Sequence, residues 1–205
     1  MKYLLTHLDK VGQLFWEHLY LVAISLLIAL CIAVPVALFV SRYRKTYTPV
    51  IGGLGVIYTI PSLALFALLI PFLGLGTKSA ITALVAYSQM TLVRNIVTAI
   101  RGIDPAIIEA AKGMGMNGWQ ILRKIVLPLA LPVVVAGVRI ATVSMIGIAA
   151  IAAYINAGGL GELIFEGIYS DHSGKIVSGT IAVAFLAIIS DLLFRLMEKR
   201  LKLNV

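Results

Sequence analysis

The sequence predicts an all-α integral membrane protein with five transmembrane helices, N-terminus outside and C-terminus inside. Three observations lead there. The 205 residues are 60% hydrophobic and 13% charged, with a mean hydropathy of +1.02. A soluble domain is typically ~45–50% apolar and ~25% charged. Five stretches reach the ~20 mostly apolar residues that a spanning helix needs. The basic residues cluster between those stretches.

The stretches are Leu19–Val40, Val50–Leu75, Ser79–Ile100, Ile125–Ile155 and Ile176–Met197. The first two carry no charge, the third only Arg94, the fourth only Arg139, and the fifth Asp191 and Arg195 near its end. Hydrocarbon offers backbone groups no partners, so each is expected to be a helix. The first run is too long for a signal-peptide core, and Arg42, Arg44 and Lys45 follow it instead of a small-residue cleavage site. It is expected to stay as a span. A single domain over residues 1–205 results, with a loop at 101–124 between the third and fourth spans. No internal repeat is visible.

Lys and Arg collect on the cytoplasmic side of membrane proteins. An outside N-terminus puts Arg42, Arg44 and Lys45 inside, then Arg101, Lys112, Arg123 and Lys124, then Arg195, Lys199, Arg200 and Lys202. Only Lys2, Lys10, Lys78 and Lys175 fall outside. The formal charge of +8 is therefore topology, not a nucleic-acid surface. Cys31 is alone and expected to be a packing residue, so no intrachain disulfide exists. His7, His18 and His172 have no metal-ligand spacing and are expected near the membrane surface, so no metal is expected.

Residues 101–128 read RGIDPAIIEAAKGMGMNGWQILRKIVLP. Asp104 suits an N-cap and Pro105 a first helical position. Ile107, Ile108 and Ala111 form a small apolar face. Gly113 and Gly115 permit a stop and sharp turn. Asn117 then caps a second helix over Gly118–Lys124. Physics alone fits either a compact knob or an ordinary loop on the membrane.

The same segment resembles binding-protein-dependent ABC importer permeases. Their cytoplasmic motif is Glu-Ala-Ala, three residues, Gly, nine residues, then Ile-x-Leu-Pro. Glu109, Ala110, Ala111, Gly115, Ile125, Leu127 and Pro128 match it at both spacings. The resemblance implies a type I, methionine-importer-like permease fold with a coupling helix. It implies two cytoplasmic ATP-binding subunits that grip the Glu109 helix, Ala110 and Ala111 allowing close docking and Gly115 the seating turn. It also implies a second permease, identical or paralogous, and an extracytoplasmic solute-binding protein. The chain has no Gly-x-x-x-x-Gly-Lys-Ser/Thr phosphate loop, so it is expected to be a transport subunit and not an enzyme, with ATP and Mg held by the partner.

The resemblance covers nearly the whole chain and is nearest to osmoprotectant permeases, which carry glycine betaine, carnitine or choline. Tyr58-Thr59-Ile60-Pro61-Ser62-Leu63-Ala64, Ile70-Pro71-Phe72-Leu73-Gly74, Arg94-Asn95 and Gly158-Gly159-Leu160-Gly161 look like that group. Methionine-type permeases share the last stretch and are the alternative. The implied location is a prokaryotic cell membrane, with lipid around a multi-pass chain.

Tyr58, Tyr87 and Tyr154 suit a quaternary ammonium ion through cation–π attraction, or else pack between helices. Gln89 either lines a pathway or bonds between helices. Pro61-Ser62 is the expected bend along the path. Arg139 needs a partner or water, and Asp191 and Arg195 are spaced as a helix-surface pair. Gly52, Gly53 and Gly55, Gly137 with Ala141, and Ala149 with Ala153 are expected at close helix contacts. Gly158, Gly159, Gly161 and Glu162 open an outer connection that is either a gate and binding-protein dock or a solvated loop. Ile164, Phe165 and Ile168 there give a short helix one apolar face. Two other classes fit less well. A channel or secondary transporter lacks a filter-like segment and a deep acidic residue. A pathless scaffold has nothing specific in its favour.

Overall fold

The computed structural model describes residue 3 and residues 6–203. Lys2 and the side chain of Lys202, both used in the charge argument, lie outside that description.

Helix α1 runs Leu8–Arg42, α2 Tyr47–Thr59, α3 Ser62–Leu73 and α4 Thr77–Arg101. Two short helices follow, α5 Pro105–Gly113 and α6 Gly118–Ile121. A π-helical segment, Leu122–Val126, joins α6 to α7, Leu127–Ala152. Helix α8 spans Gly161–Tyr169 and α9 Ser173–Leu203. No strand occurs among the described residues.

Three helical stretches are long and apolar enough to cross a membrane: Leu8–Arg42, Gly118–Ile155 and Ser173–Leu201. A fourth passes only as a pair, because α2 and α3 meet at a 94° bend. The single helix expected over Val50–Leu75 is therefore two. The cause is local. Ile60 precedes a proline and is extended, at φ −65° and ψ 128°, as that position favours. Pro61 continues at φ −56° and ψ 136° before α3 starts.

Helix α4 is the centre of the bundle. It packs against α1, α2, α3 and α7. Its Ser79, Tyr87, Ser88 and Gln89 are buried against those neighbours, although hydropathy alone does not mark this helix as a span. Closeness is set by small residues. A Cβ on Gly137 of α7 would lie 2.5 Å from the Asn95 Cβ of α4. Ala141, Ala149 and Ala153 are buried as expected. Gly52 and Gly53 are not at a contact, since a Cβ there would meet nothing within 4 Å. Those two present a smooth, exposed face within this chain.

A further expectation changes. Cys31 faces outward and is not packed in the core. His18 is fully buried and its Nε2 lies 3.1 Å from the Ile146 carbonyl. A carbonyl only accepts, so Nε2 carries the proton. Arg139 does find partners on α9, Asp191 at 3.2 Å and Glu198 at 3.9 Å. Arg195 pairs with Asp191 at 3.0 Å, one turn apart. Charges at this depth need such pairing or water.

Candidate functional site

Three groups of residues stand out along the bundle. The first is the knob. The Asp104 carboxylate accepts from the Ala106 amide at 2.9 Å, with Pro105 at the first helical position. Asn117 and Gln120 form a reciprocal capping box, each side chain 2.9 Å from the other's amide. Gly115 sits between the two helices at φ +76°, a conformation L side chains rarely adopt. Helix α5 exposes Ile107, Glu109 and Ala110, and Met114 just beyond its end is exposed as well. Ala111 is turned inward and 1% exposed, so Ala110 alone of the pair is on the open face. The expected apolar face is split accordingly: Ile108 is half-buried and Ile107 exposed. The second helix ends at Ile121, short of Lys124, where the π segment begins. Ile125 lies in that segment, and Leu127 and Pro128 open α7.

The knob stands at the end of the bundle where α1 and α4 both finish. The Arg101 guanidinium donates to the Val40 carbonyl at 2.7 Å and lies 4.9 Å over the Tyr47 ring. This closes the C-terminus of α1, where carbonyls lack helical partners.

The second group surrounds the bend. The Tyr87 hydroxyl of α4 donates to the Ile60 carbonyl, which the break leaves without a helical partner. Tyr58 meets Tyr87 edge to face at 6.0 Å. Pro61 is exposed and Ser62 half-buried beside them. Tyr58, Tyr87, Ser88 and Ser144 line a small crevice against α7. Gln89 points elsewhere. It is buried, and its amide donates to the Ala29 carbonyl of α1 at 3.1 Å, an interhelical bond. Replacing Tyr87 with phenylalanine is expected to leave that carbonyl unpaired and cost about 1–3 kcal/mol. A melting temperature equal to wild type in the purified complex would contradict this role.

The third group is at the opposite end of α1. Gly158 and Gly159 have φ of +78° and +82°, and the Gly159 amide donates to the Glu17 carboxylate at 3.2 Å. A Cβ on Gly159 would lie 3.0 Å from His18 Nδ1. Leu160 and Leu163 are fully buried, Gly161 is buried, and Glu162 is exposed. The stretch is thus a packed corner, not a solvated loop. The buried stripe of α8 is Leu163 and Gly167, with Ile164 and Phe165 half-buried and Ile168 exposed. Tyr154 is exposed at the head of the corner, its ring 5.6 Å from Phe165. Glu17 and Val40 are 23 positions apart on α1, about 35 Å of helix at ~1.5 Å per residue. That distance is close to the ~30 Å of a bilayer's hydrocarbon core.

At this same end, Glu166 of α8 ties three helices. It accepts from Lys10 of α1 at 2.9 Å and from Lys175 of α9 at 3.1 Å. Hydrogen bonding from Lys10, then from Lys175, holds the Glu166 carboxyl below its ordinary value against an opposing effect of burial. A depressed carboxyl stabilises above the unfolded value and loses that stabilisation as pH falls through the folded one. The stability difference between wild type and Glu166→Gln is expected to vanish in acid below the usual glutamate range. The groups are partly exposed, so it should be at most about 1 kcal/mol at neutral pH and shrink in high salt. Thermal unfolding at stepped pH and salt checks both, and a difference that persists in acid contradicts the ion-pair origin.

The sequence pointed to the knob, the bend and the corner, but not to Glu17, His18, Arg101 or Glu166 as the groups that hold them. The one local signal was Glu17-His18 at the mouth of an apolar run. Among the described residues no group of three His, Cys, Asp or Glu side chains is placed to hold a metal ion.

The chain is 41% identical to an osmoprotectant import permease protein of Salmonella typhimurium, covering 95% of this chain and 93% of the relative. It is 38% identical to a glycine betaine/carnitine/choline transport system permease protein of Bacillus subtilis, covering 92% and 88%. In structure it is similar to the inward-facing MetNI methionine ABC transporter, at a TM-score of 0.86 and 24% identity over 95% of this chain and 97% of the other. Residues 25–203 match the binding-protein-dependent transport system inner membrane component. The chain belongs to that family of membrane-embedded ABC transporter permeases.

Proposed function

We propose that this chain is the translocation subunit of an ATP-driven importer for a small quaternary ammonium osmoprotectant such as glycine betaine, carnitine or choline. The observation that carries the solute class is the 38–41% identity, over more than nine-tenths of the chain, to permeases named for those solutes. The methionine alternative is supported by a likeness of fold.

Five spans fit the proposal: α1, the bent α2–α3 pair, α4, the α7 stretch and α9, with the N-terminus outside. The knob then lies in the cytoplasm and the Gly158–Gly161 corner faces outward. Two ATP-binding subunits, holding ATP and Mg, would each grip one knob, one on this chain and one on a second permease. Their closure would push α5 through Gly115 and the π segment into α7. Helix α7 packs on α4 and α9, so its tilt reaches the bend at Pro61 and the outer corner. Glu109 and Ala110 are exposed for the grip, and a small residue beside a carboxylate suits close approach to a donor-lined groove. Tyr58, Pro61, Ser62 and Tyr87 are the groups proposed along the path. Gly158, Gly159 and Gly161 are proposed to hold the outer gate, with exposed Glu162 on the side a solute-binding protein would reach. Selection would lie mainly in that protein, because a path must release its cargo.

The test is uptake by the reconstituted complex with its binding protein. Betaine, carnitine or choline should accumulate only with ATP, and exceed methionine by at least about tenfold, or ~1.4 kcal/mol. Methionine uptake above the betaines would overturn the solute class. Transport by the purified chain without ATP would overturn the importer. Ser62→Trp should block uptake while leaving assembly intact, and unchanged uptake would remove the bend from the path.

A further inference from the structure

Next to the knob, the bundle surface holds a cleft of about 170 Å³ lined only by apolar side chains. Val34 and Leu38 of α1 form one wall and Ile100 of α4 another. Leu122 and Val126 of the π segment and Ala130 of α7 form the third. A space lined this way gives water no partners and is suited to hydrocarbon. Cations stand beside its wall residues along the chain. Arg42 lies one turn beyond Leu38 on the same face of α1 and is exposed. Arg123 and Lys124 sit between Leu122 and Val126 and are exposed. Trp119 precedes them, also exposed, of a residue type that favours the membrane interface. No acidic residue occurs in 34–45, 96–101 or 118–134, the segments that build the cleft and its rim.

We propose that this cleft binds an anionic phospholipid of the inner leaflet, one acyl chain between α1 and the π segment and the phosphate against Arg42, Arg123 and Lys124. The combination is what separates it from general lipid contact. A chain slot alone takes any lipid, and a basic patch alone takes any anion, whereas the two together select an anionic amphiphile. The site rests on the cytoplasmic placement of the knob proposed above. Its floor is the joint between knob and α7, so an occupied cleft stiffens the element through which force would pass.

The experiment uses the assembled complex in nanodiscs of phosphatidylcholine mixed equally with phosphatidylglycerol. Lipid retained on mild extraction is read by native mass spectrometry. Wild type should keep phosphatidylglycerol severalfold over phosphatidylcholine. The combined Arg42→Gln, Arg123→Gln and Lys124→Gln variant should lose the preference. So should Val34→Trp, which closes the mouth without changing charge, while Arg123→Lys should keep it. The last two variants keep the result readable if the triple variant does not assemble. Equal retention of both lipids by wild type overturns the site. Loss in the charge variant with Val34→Trp unchanged also overturns it, since a surface patch without a chain slot would behave so. ATP-driven uptake by the same variants in sealed proteoliposomes of the same lipid mixture judges the importer separately. Uptake without lipid preference sinks only the cleft, and lipid preference without ATP-driven uptake sinks only the importer.

Discussion

Gly115→Val is expected to insert and assemble as wild type does, yet lose at least about nine-tenths of uptake, ~1.4 kcal/mol in rate terms. The side chain has room, since a Cβ at Gly115 meets nothing within 4 Å. The obstacle is the backbone, at φ +76°. A left-handed conformation costs an L residue roughly 1–2 kcal/mol, and a β-branched one suffers most. That is too little to unfold a bundle of this size. It is enough to swing the turn away from positive φ, and the turn sets the angle between α5 and the helix that continues into the membrane. The exposed face of α5 would then no longer present Glu109 and Ala110 as wild type does. Gly115→Asn is the companion, because asparagine tolerates this conformation. It should retain most uptake and substrate-stimulated ATPase activity. Normal activity in Gly115→Val would show that the turn's geometry does not matter.

Gly161→Ala is expected to give the largest loss of stability from a single methyl group. A Cβ there would lie 1.9 Å from the Ala150 carbonyl oxygen and 2.7 Å from its carbon. Both are backbone atoms of α7 and cannot rotate away. Helix α8 must shift, and Leu160 and Leu163, both fully buried, shift with it. Overpacking typically costs about 1–3 kcal/mol and occasionally more. For a chain of this length about 2–4 °C is lost per kcal/mol, so a fall of roughly 2–12 °C is expected. Gly147→Ala is the matched control. It adds the same methyl within α7 where nothing lies within 4 Å, and should leave the melting temperature unchanged or raise it. Equal melting temperatures for the two variants would contradict the packed corner.

What the sequence made legible was local. Asp104-Pro105 and Asn117 with Gln120 announce helix starts because capping involves residues two or three apart. Pro61 marks a break because the constraint acts on its immediate neighbour. The size of the break was not legible, since the carbonyl it frees is taken by Tyr87, far along the chain. Facing is the weakest inference. For Cys31, Gly52 and Gly53 the sequence suggests packing contacts, and within this chain all three are exposed. In a soluble helix the polar stripe shows which side is out, whereas lipid is as apolar as a core and erases that stripe. His18 shows the same limit from the other side. A polar residue at the mouth of a span gives no sign of burial within the bundle, and the carbonyl of Ile146 that its Nε2 meets lies on another helix. The ion pairs of Glu166 with Lys10 and Lys175 join helices α1, α8 and α9 by contacts that no periodicity encodes.

In the mechanism proposed above, the knob between α4 and α7 is where a nucleotide-hydrolysing partner pushes. The most direct measurement is cross-linking from Ala110→Cys in a Cys31→Ala background, using the whole complex in membrane vesicles. Ala110 is on the exposed face of α5, and Cys31 is the chain's single cysteine. The thiol introduced at position 110 is expected to be labelled only by reagents that reach the cytoplasm. It should also form a cross-link to the ATP-binding subunit whose yield changes with ATP. Labelling from outside the cell, or no cross-link to that subunit in any nucleotide state, would contradict the claim.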